Sequence, residues 1–243
     1  MTETTHEALV RQTGAAEELL DYFQGNRASM DAKIAAKEAQ VDTFLANAAN
    51  HHPLVRTSPN QNCIIDGATN NLQGWSKNGA FSITVSLLRT ISSGQVITDL
   101  SADDQELMNA MGYTGGQSNW LPNPINVAKM VWSGSPGSGH TIWPPSIPAG
   151  GPYTVASYAK LISGSISAGF LSGVNSEWGM CGGSGVAQNL SYQNMHPNVG
   201  SASGEVHFVL PACCYGYRVI DRDNPRWGFI TSTFATAHSD FTT

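Results

Sequence analysis

Beyond residue 50 the chain holds three glutamates, Glu106, Glu177 and Glu205. Paired carboxylates facing across a cleft are what glycoside hydrolysis requires, yet Glu177 stands beside Trp178 and Glu205 lies on an alternating apolar run, the settings of separate surface acids. His140, His196 and His207 are too dispersed for a metal-ligand spacing, and Asp221, Asp223 and Asn224 offer oxygen atoms outside any calcium-loop pattern. The glycines of GGSG at 182–185 lack the Lys and Ser/Thr of a phosphate cradle and read as turn formers. Cys63, Cys181, Cys213 and Cys214 form no CxxC pair. Buried free thiols are expected, a Cys213–Cys214 bridge being strained and a Cys63–Cys181 bridge staying open only for a particle outside the cell. The expectation is therefore a protein with no catalytic residue, no metal ligand and no cofactor.

Aromatic residues are the better lead. All six tryptophans, Trp75, Trp120, Trp132, Trp143, Trp178 and Trp227, lie after residue 50, and an exposed indole face stacks on the C–H face of a sugar while neighbouring amides and hydroxyls bond its rim. Trp132 and Trp227 fall in strand-like runs and are expected in the core. Trp143 and Trp178 fall in two long Gly/Ser-biased stretches, 133–152 and 178–204, of the kind that carries binding residues on a rigid scaffold. They are the candidate glycan contacts, with Asn175, Tyr192, Asn194 and His140 as polar partners.

The elements that must hold these loops are short and alternating. Phe81, Ile83, Val85 and Leu87 point one way and Ser82, Thr84 and Ser86 the other. Similar runs at 126–132, 153–162, 205–210, 215–221 and 226–234 are separated by Gly, Ser, Pro and Asn clusters, which predicts an antiparallel β-sandwich of jelly-roll or lectin-like type. Ser101, Asp103 and Asp104 before Gln105–Met111 predict one capped short helix ending at Gly112.

The first 50 residues follow a different rule. Steps of four and three from Leu9 give Leu9, Thr13, Ala16, Leu20, Phe23, Arg27, Met30, Ile34, Lys37, Val41, Phe44 and Ala48, of which only Thr13, Arg27 and Lys37 are polar. A seven-residue apolar period leaves a narrow seam that another helix must cover. The mixture of β-branched Ile34 and Val41 with bulky Met30 and Phe44 favours a trimeric core over a dimer. The expected organisation is α then all-β: a coiled-coil stalk at 1–50, a Pro/Asn linker at 51–62 and a β-sandwich head at 63–243.

Composition narrows the partners. At 41% hydrophobic content the 193 residues after the stalk can bury a core of their own, and those residues carry only ten acidic and eight basic side chains. With a net charge of −6 and no basic patch, nucleic acid is not expected as a partner. No apolar run approaches transmembrane length and MTETTHEALV lacks a basic start and an apolar core, so neither membrane insertion nor signal-peptide export is expected.

The stretch EELLDYFQGNR, the Ala/Lys/Glu heptads after it and the Pro/Asn segment that follows resemble the start of bacteriophage tail-fibre and receptor-binding proteins. NCIIDGATNNLQGWSKNG and YTVASYAKLISGS resemble strands of the lectin-like β-sandwiches found on fibre tips. The resemblance implies a homotrimeric virion protein of the tail, extracellular after release, whose N-terminal stalk docks to tail-tip or baseplate proteins and whose head adsorbs to host surface polysaccharide. Two other readings stay open: a structural adaptor in the tail without glycan binding, and a polysaccharide depolymerase spike with acid pairs at subunit boundaries.

Overall fold

The computed structural model describes residues 4–51, 54–113, 124–134, 139–144, 151–187, 196–223 and 227–230. Two compact units divide the chain at Met1–His51 and His52–Thr243.

The first unit is a single helix, α1 (Thr5–His51, 47 residues). Its start is a capping box: Thr4 Oγ1 accepts from the Glu7 N–H at 3.4 Å, and the Thr4 N–H donates to the Glu7 carboxylate at 2.9 Å. The Thr4 N–H and the Thr4 hydroxyl, both donating to the Glu7 carboxylate, hold that carboxyl below its usual pKa. Beyond Asp31 the run of Ala, Lys, Glu and Gln keeps propensity high, and at about 1.5 Å per residue the helix is roughly 70 Å long. Of the nine apolar seam residues, Leu9, Ala16, Leu20, Phe23, Met30, Ile34, Val41 and Phe44 are exposed, the large ones between 54% (Val41) and 69% (Phe44). The side chain of Ala48 lies outside the described residues.

In the second unit the strands are, in order, β1 (Val55–Arg56), β2 (Ile65–Asp66), β3 (Asn71–Leu72), β4 (Ser76–Lys77) and β5 (Ser82–Ile91). After a 3₁₀ turn at Ile97–Asp99 come helix α2 (Ala102–Ala110), β6 (Ile125–Ser133), β7 (Ile142–Trp143), β8 (Gly151–Ser163) and β9 (Ile166–Ser167). A second 3₁₀ turn, Gly169–Leu171, precedes β10 (Gly179–Ala187), β11 (Asn198–Val199) and β12 (Ser203–Tyr215). The main sheet has the order β10-β8-β12-β6-β5, every pairing is antiparallel, and β1 joins the far end of β12 with Val55 opposite Tyr215.

Both faces of this sheet are filled, because successive side chains of a strand point to opposite sides. Ala128, Met130, Ala159, Cys181 and Phe208 pack on one face against Leu72, Ile142, Ile166 and Val199. Those four come from the two-stranded sheets β2-β3, β4-β7 and β9-β11, which together form the covering layer. Val127, Tyr158, Met180 and Val209, one residue away in the chain, pack on the other face with Leu107 and Met108 of α2. In β12 Pro211 has no N–H for a ladder, and the register with β8 shifts between Val209 and Ala212 around Leu210, whose φ is 51°.

The runs expected at 81–87, 126–132, 153–162 and 205–210 are β5, β6, β8 and β12. The capped helix is α2, with Ser101 Oγ accepting from the Asp104 N–H. Three expectations change. In 215–221 only Tyr215 is strand, and in 226–234 the described Trp227–Ile230 form none. Their backbone is held by side chains instead: Gln61 donates to Gly228 O and accepts from the Ile230 N–H, and Arg56 donates to Ile230 O. Arg56, Thr57, Ser58, Asn60, Gln61 and Asn62 are accordingly buried, so from Val55 onward the expected linker is part of the head. The glycines of GGSG lie in β10 rather than in turns, since a Cβ at Gly182 would collide with Val155 O of the paired strand.

All four cysteines are buried and unbridged. Burial pushes the Cys181 thiol up to about 12 and Cys213 up to about 11, and burial together with the Cys213 neighbour raises Cys214 as well. An unfolded thiol ionises near pH ~8.5. Between that value and the folded values the native state binds more protons, so stability is full below the unfolded value and falls as pH rises. The melting temperature is expected to decline from about pH 9 toward 11, and more shallowly in Cys213→Ala; a flat profile over that range contradicts the assignment. Independently, Gly204→Ala, whose Cβ would strike the Trp132 ring and Ser163 O, is expected to cost about 1–3 kcal/mol in urea unfolding.

Candidate functional site

His140 and Trp143 come together at the edge of the layer that covers the first core. Residues 139–143 run between two other segments: Ser76 pairs with Trp143 on one side, and His140 bridges to Asn198 on the other. The Thr141 N–H and hydroxyl both donate to Pro197 O, and the Val199 N–H donates to Gly139 O at 2.7 Å. Asn78 anchors the other edge, its N–H donating to Thr141 O and its amide to His140 O. This backbone framework places His140 against His196, which is 56 residues away in sequence.

The two imidazoles meet edge to face with ring centroids 3.8 Å apart and an interplanar angle of 85°. Their Nδ1 atoms are 2.8 Å apart, a distance for one N–H shared between them. Burial and the His140 neighbour hold His196 below the usual imidazole pKa. The Trp143 ring lies 6.4 Å from that of His196 at 78°, and both rings are half-buried. Asn198 Oδ1 is buried and makes no well-aligned hydrogen bond among the described residues. An indole face, two imidazoles and an amide thus converge, a set able to stack on a sugar ring and bond its hydroxyls. Tyr192 and Asn194 lie outside the described residues.

Trp178 and Asn175 belong elsewhere. Trp178 is 4% exposed and packs in the second core, on the opposite face of the sheet from Ile142. Its indole N–H donates to Asp103 at 3.1 Å and its backbone N–H to Glu106 at 2.8 Å. Those two carboxylates, from the first turns of α2, also take Lys160 at 2.9 and 2.7 Å, while Arg89 bridges Asp103 and Asp104. Partial burial acts to raise the Asp103 pKa, but the Lys160, Arg89 and Trp178 donors outweigh it and hold the carboxyl below its usual value. Burial likewise opposes charge on Lys160, and its two carboxylates overcome that and raise it. Asn175 Oδ1 accepts from Arg222, which also donates to the Glu177 and Trp178 carbonyls. This cluster fastens α2 and the turn before β10 to the sheet, and a Trp178 so enclosed offers no face to a ligand.

Of the remaining acids, Glu205 contacts His207 Nε2 at 2.7 Å across the same strand face, and His207 Nδ1 is buried without a partner among the described residues. His207 stands opposite Lys129 and Lys160 in the neighbouring strands. Among the described residues no group of three or more His, Cys, Asp or Glu is arranged to hold a metal. Sequence spacing missed His196 and Asn198 as neighbours of His140, and nothing in a 56-residue separation signals that contact.

No family model and no curated protein sequence matches the chain.

If Trp178 is an anchor, Trp178→Phe, which keeps a ring but removes the N–H given to Asp103, should lower unfolding stability by about 1–2 kcal/mol. Urea unfolding of the purified chain measures this, and an unchanged midpoint contradicts the anchoring role.

Proposed function

We propose that the chain is an attachment fibre of the bacteriophage tail-fibre type, a non-enzymatic homotrimer held by α1 whose head binds host surface glycan. One observation carries this reading: a 47-residue helix whose large seam residues are all more than half exposed in the single chain. Leaving such side chains in water forgoes roughly 1.5–3 kcal/mol for each one that could be fully buried. Sister helices in a coiled coil cover that seam at every turn, and Ile34, Val41, Met30 and Phe44 suit a three-stranded core. In this reading the antiparallel head is a lectin-like sandwich, and the His140, Trp143 and His196 cluster is its sugar contact. Three heads on one stalk turn weak contacts into avidity through effective concentration. The virion partner at the other end is a tail-tip or baseplate protein.

Light-scattering mass of the whole chain at micromolar concentration is expected to be three times the chain mass, and a version starting at Pro53 is expected to be monomeric. A monomeric whole chain ends the fibre reading, and a trimer that survives truncation moves the association into the head. For the glycan, Trp143→Ala is expected to weaken saturable binding to host polysaccharide about tenfold, roughly 1.4 kcal/mol. Saturable binding that is unaffected by the substitution removes Trp143 from the site, and absence of any binding by the intact trimer favours the adaptor reading.

A further inference from the structure

We propose that His140 and His196 form a binding site for a divalent transition-metal ion, with both Nδ1 atoms as ligands and Asn198 Oδ1 and water as the other donors. The inference rests on neither the trimer nor the glycan reading. Two nitrogens bound to one ion at about 2.0–2.1 Å, at angles from square to tetrahedral, lie roughly 2.9–3.4 Å apart. The observed 2.8 Å lies just below that span, so a separation of the rings by a few tenths of an ångström admits the ion.

The rings are also set for it. The ring planes cross at 85° with centroids 3.8 Å apart, close enough for one ion to reach both Nδ1 atoms. The framework that holds them is backbone: Thr141 to Pro197, Val199 to Gly139, and the His140–Asn198 bridge. That bridge also places Asn198 beside the pair, and its side chain is among the groups acting on His196. Its Oδ1, buried and without a well-aligned hydrogen bond among the described residues, is an oxygen donor beside the two imidazoles.

In the metal-free protein the 2.8 Å contact takes one Nδ1–H, with the second ring protonated at Nε2. Binding needs both Nδ1 lone pairs, so the donor ring shifts its proton to Nε2 and the neutral pair gains or loses none overall. Imidazole ligands favour Zn²⁺, Ni²⁺, Co²⁺ and Cu²⁺ over Mg²⁺ and Ca²⁺. Two imidazoles and an amide make a site that retains water, in contrast to the closed four-ligand sites of structural zinc.

The experiment titrates the full chain with NiCl₂ calorimetrically and follows tryptophan fluorescence in parallel, Trp143 being the ring beside His196. One strongest equivalent per chain is expected, weakened at least tenfold in His140→Gln and in His196→Gln. Trp143→Phe should keep that equivalent and lose most of the fluorescence quenching. X-ray absorption at the zinc edge, on unmodified protein carrying one Zn²⁺ per chain, should count two imidazoles and avoids any folding defect of the variants. Affinity unchanged in folded His140→Gln and His196→Gln would assign the metal to other histidines such as His6 or His207 and overturn the proposal. Fewer than two imidazoles per zinc overturns it as well.

Discussion

The central strand β12 has to be buried on both faces and hydrogen-bonded on both edges. It pairs with β8 along nearly its whole length, with β6 over its first half and with β1 at its end. Val206 and Phe208 point into one core while Val209, Ala212 and Cys214 point into the other. A strand in that position allows no unpaired backbone group, so the ladder defect at Leu210–Pro211 sits where neighbouring side chains can satisfy it. Trp227 does so, donating its indole N–H to Leu210 O at 2.9 Å. The buried polar segment at 56–62 extends the same solution: Thr57 and Ser58 bond to Cys213, and Gln61 and Arg56 bond to the 228–230 backbone.

The two layers over the sheet differ in chemistry. One is a patchwork of two-stranded sheets whose edges meet around His140 and His196. The other is α2, whose apolar side is supplied by Leu107 and Met108 and whose N-terminal acids are neutralised by Arg89 and Lys160 from the sheet. Helix N-termini favour negative charge, so Asp103, Asp104 and Glu106 serve the helix and the clamp together. Trp178 is drawn into this network by its two N–H groups. An aromatic residue in a glycine-rich stretch is thereby a packing element, while Trp143, with a smaller polar frame, keeps part of its ring in solvent.

The two units obtain stability by different means. The head buries its apolar residues within one chain, whereas α1 has a capped start and high propensity but leaves its large apolar residues in water. Local helix energetics can specify such an element without supplying its burial. In the proposed fibre that burial is intermolecular, which ties formation of the stalk to assembly.

The sequence alone determined what depends on near neighbours. Period-two alternation located β5, β6, β8 and β12, the Ser101 cap located α2, and the heptad located α1, because each is written in residues two to seven positions apart. It placed Trp132 in the core for the same reason, whereas Trp227 is buried without the strand expected to carry it. It could not show that 55–62 is head rather than linker, since Arg56, Thr57, Ser58 and Gln61 are held by partners some 155 to 174 positions away. Nor could it identify β10 as a strand, because Gly179, Gly182 and Gly185 lie against Arg222, Val155 and Tyr153 and carry no alternation of their own. Only the tertiary structure decided which aromatic and imidazole side chains meet. His140 reaches His196 through a bridge between two distant segments and Trp178 reaches Asp103 where α2 packs on the sheet, and contacts made by chain crossing leave no period to read.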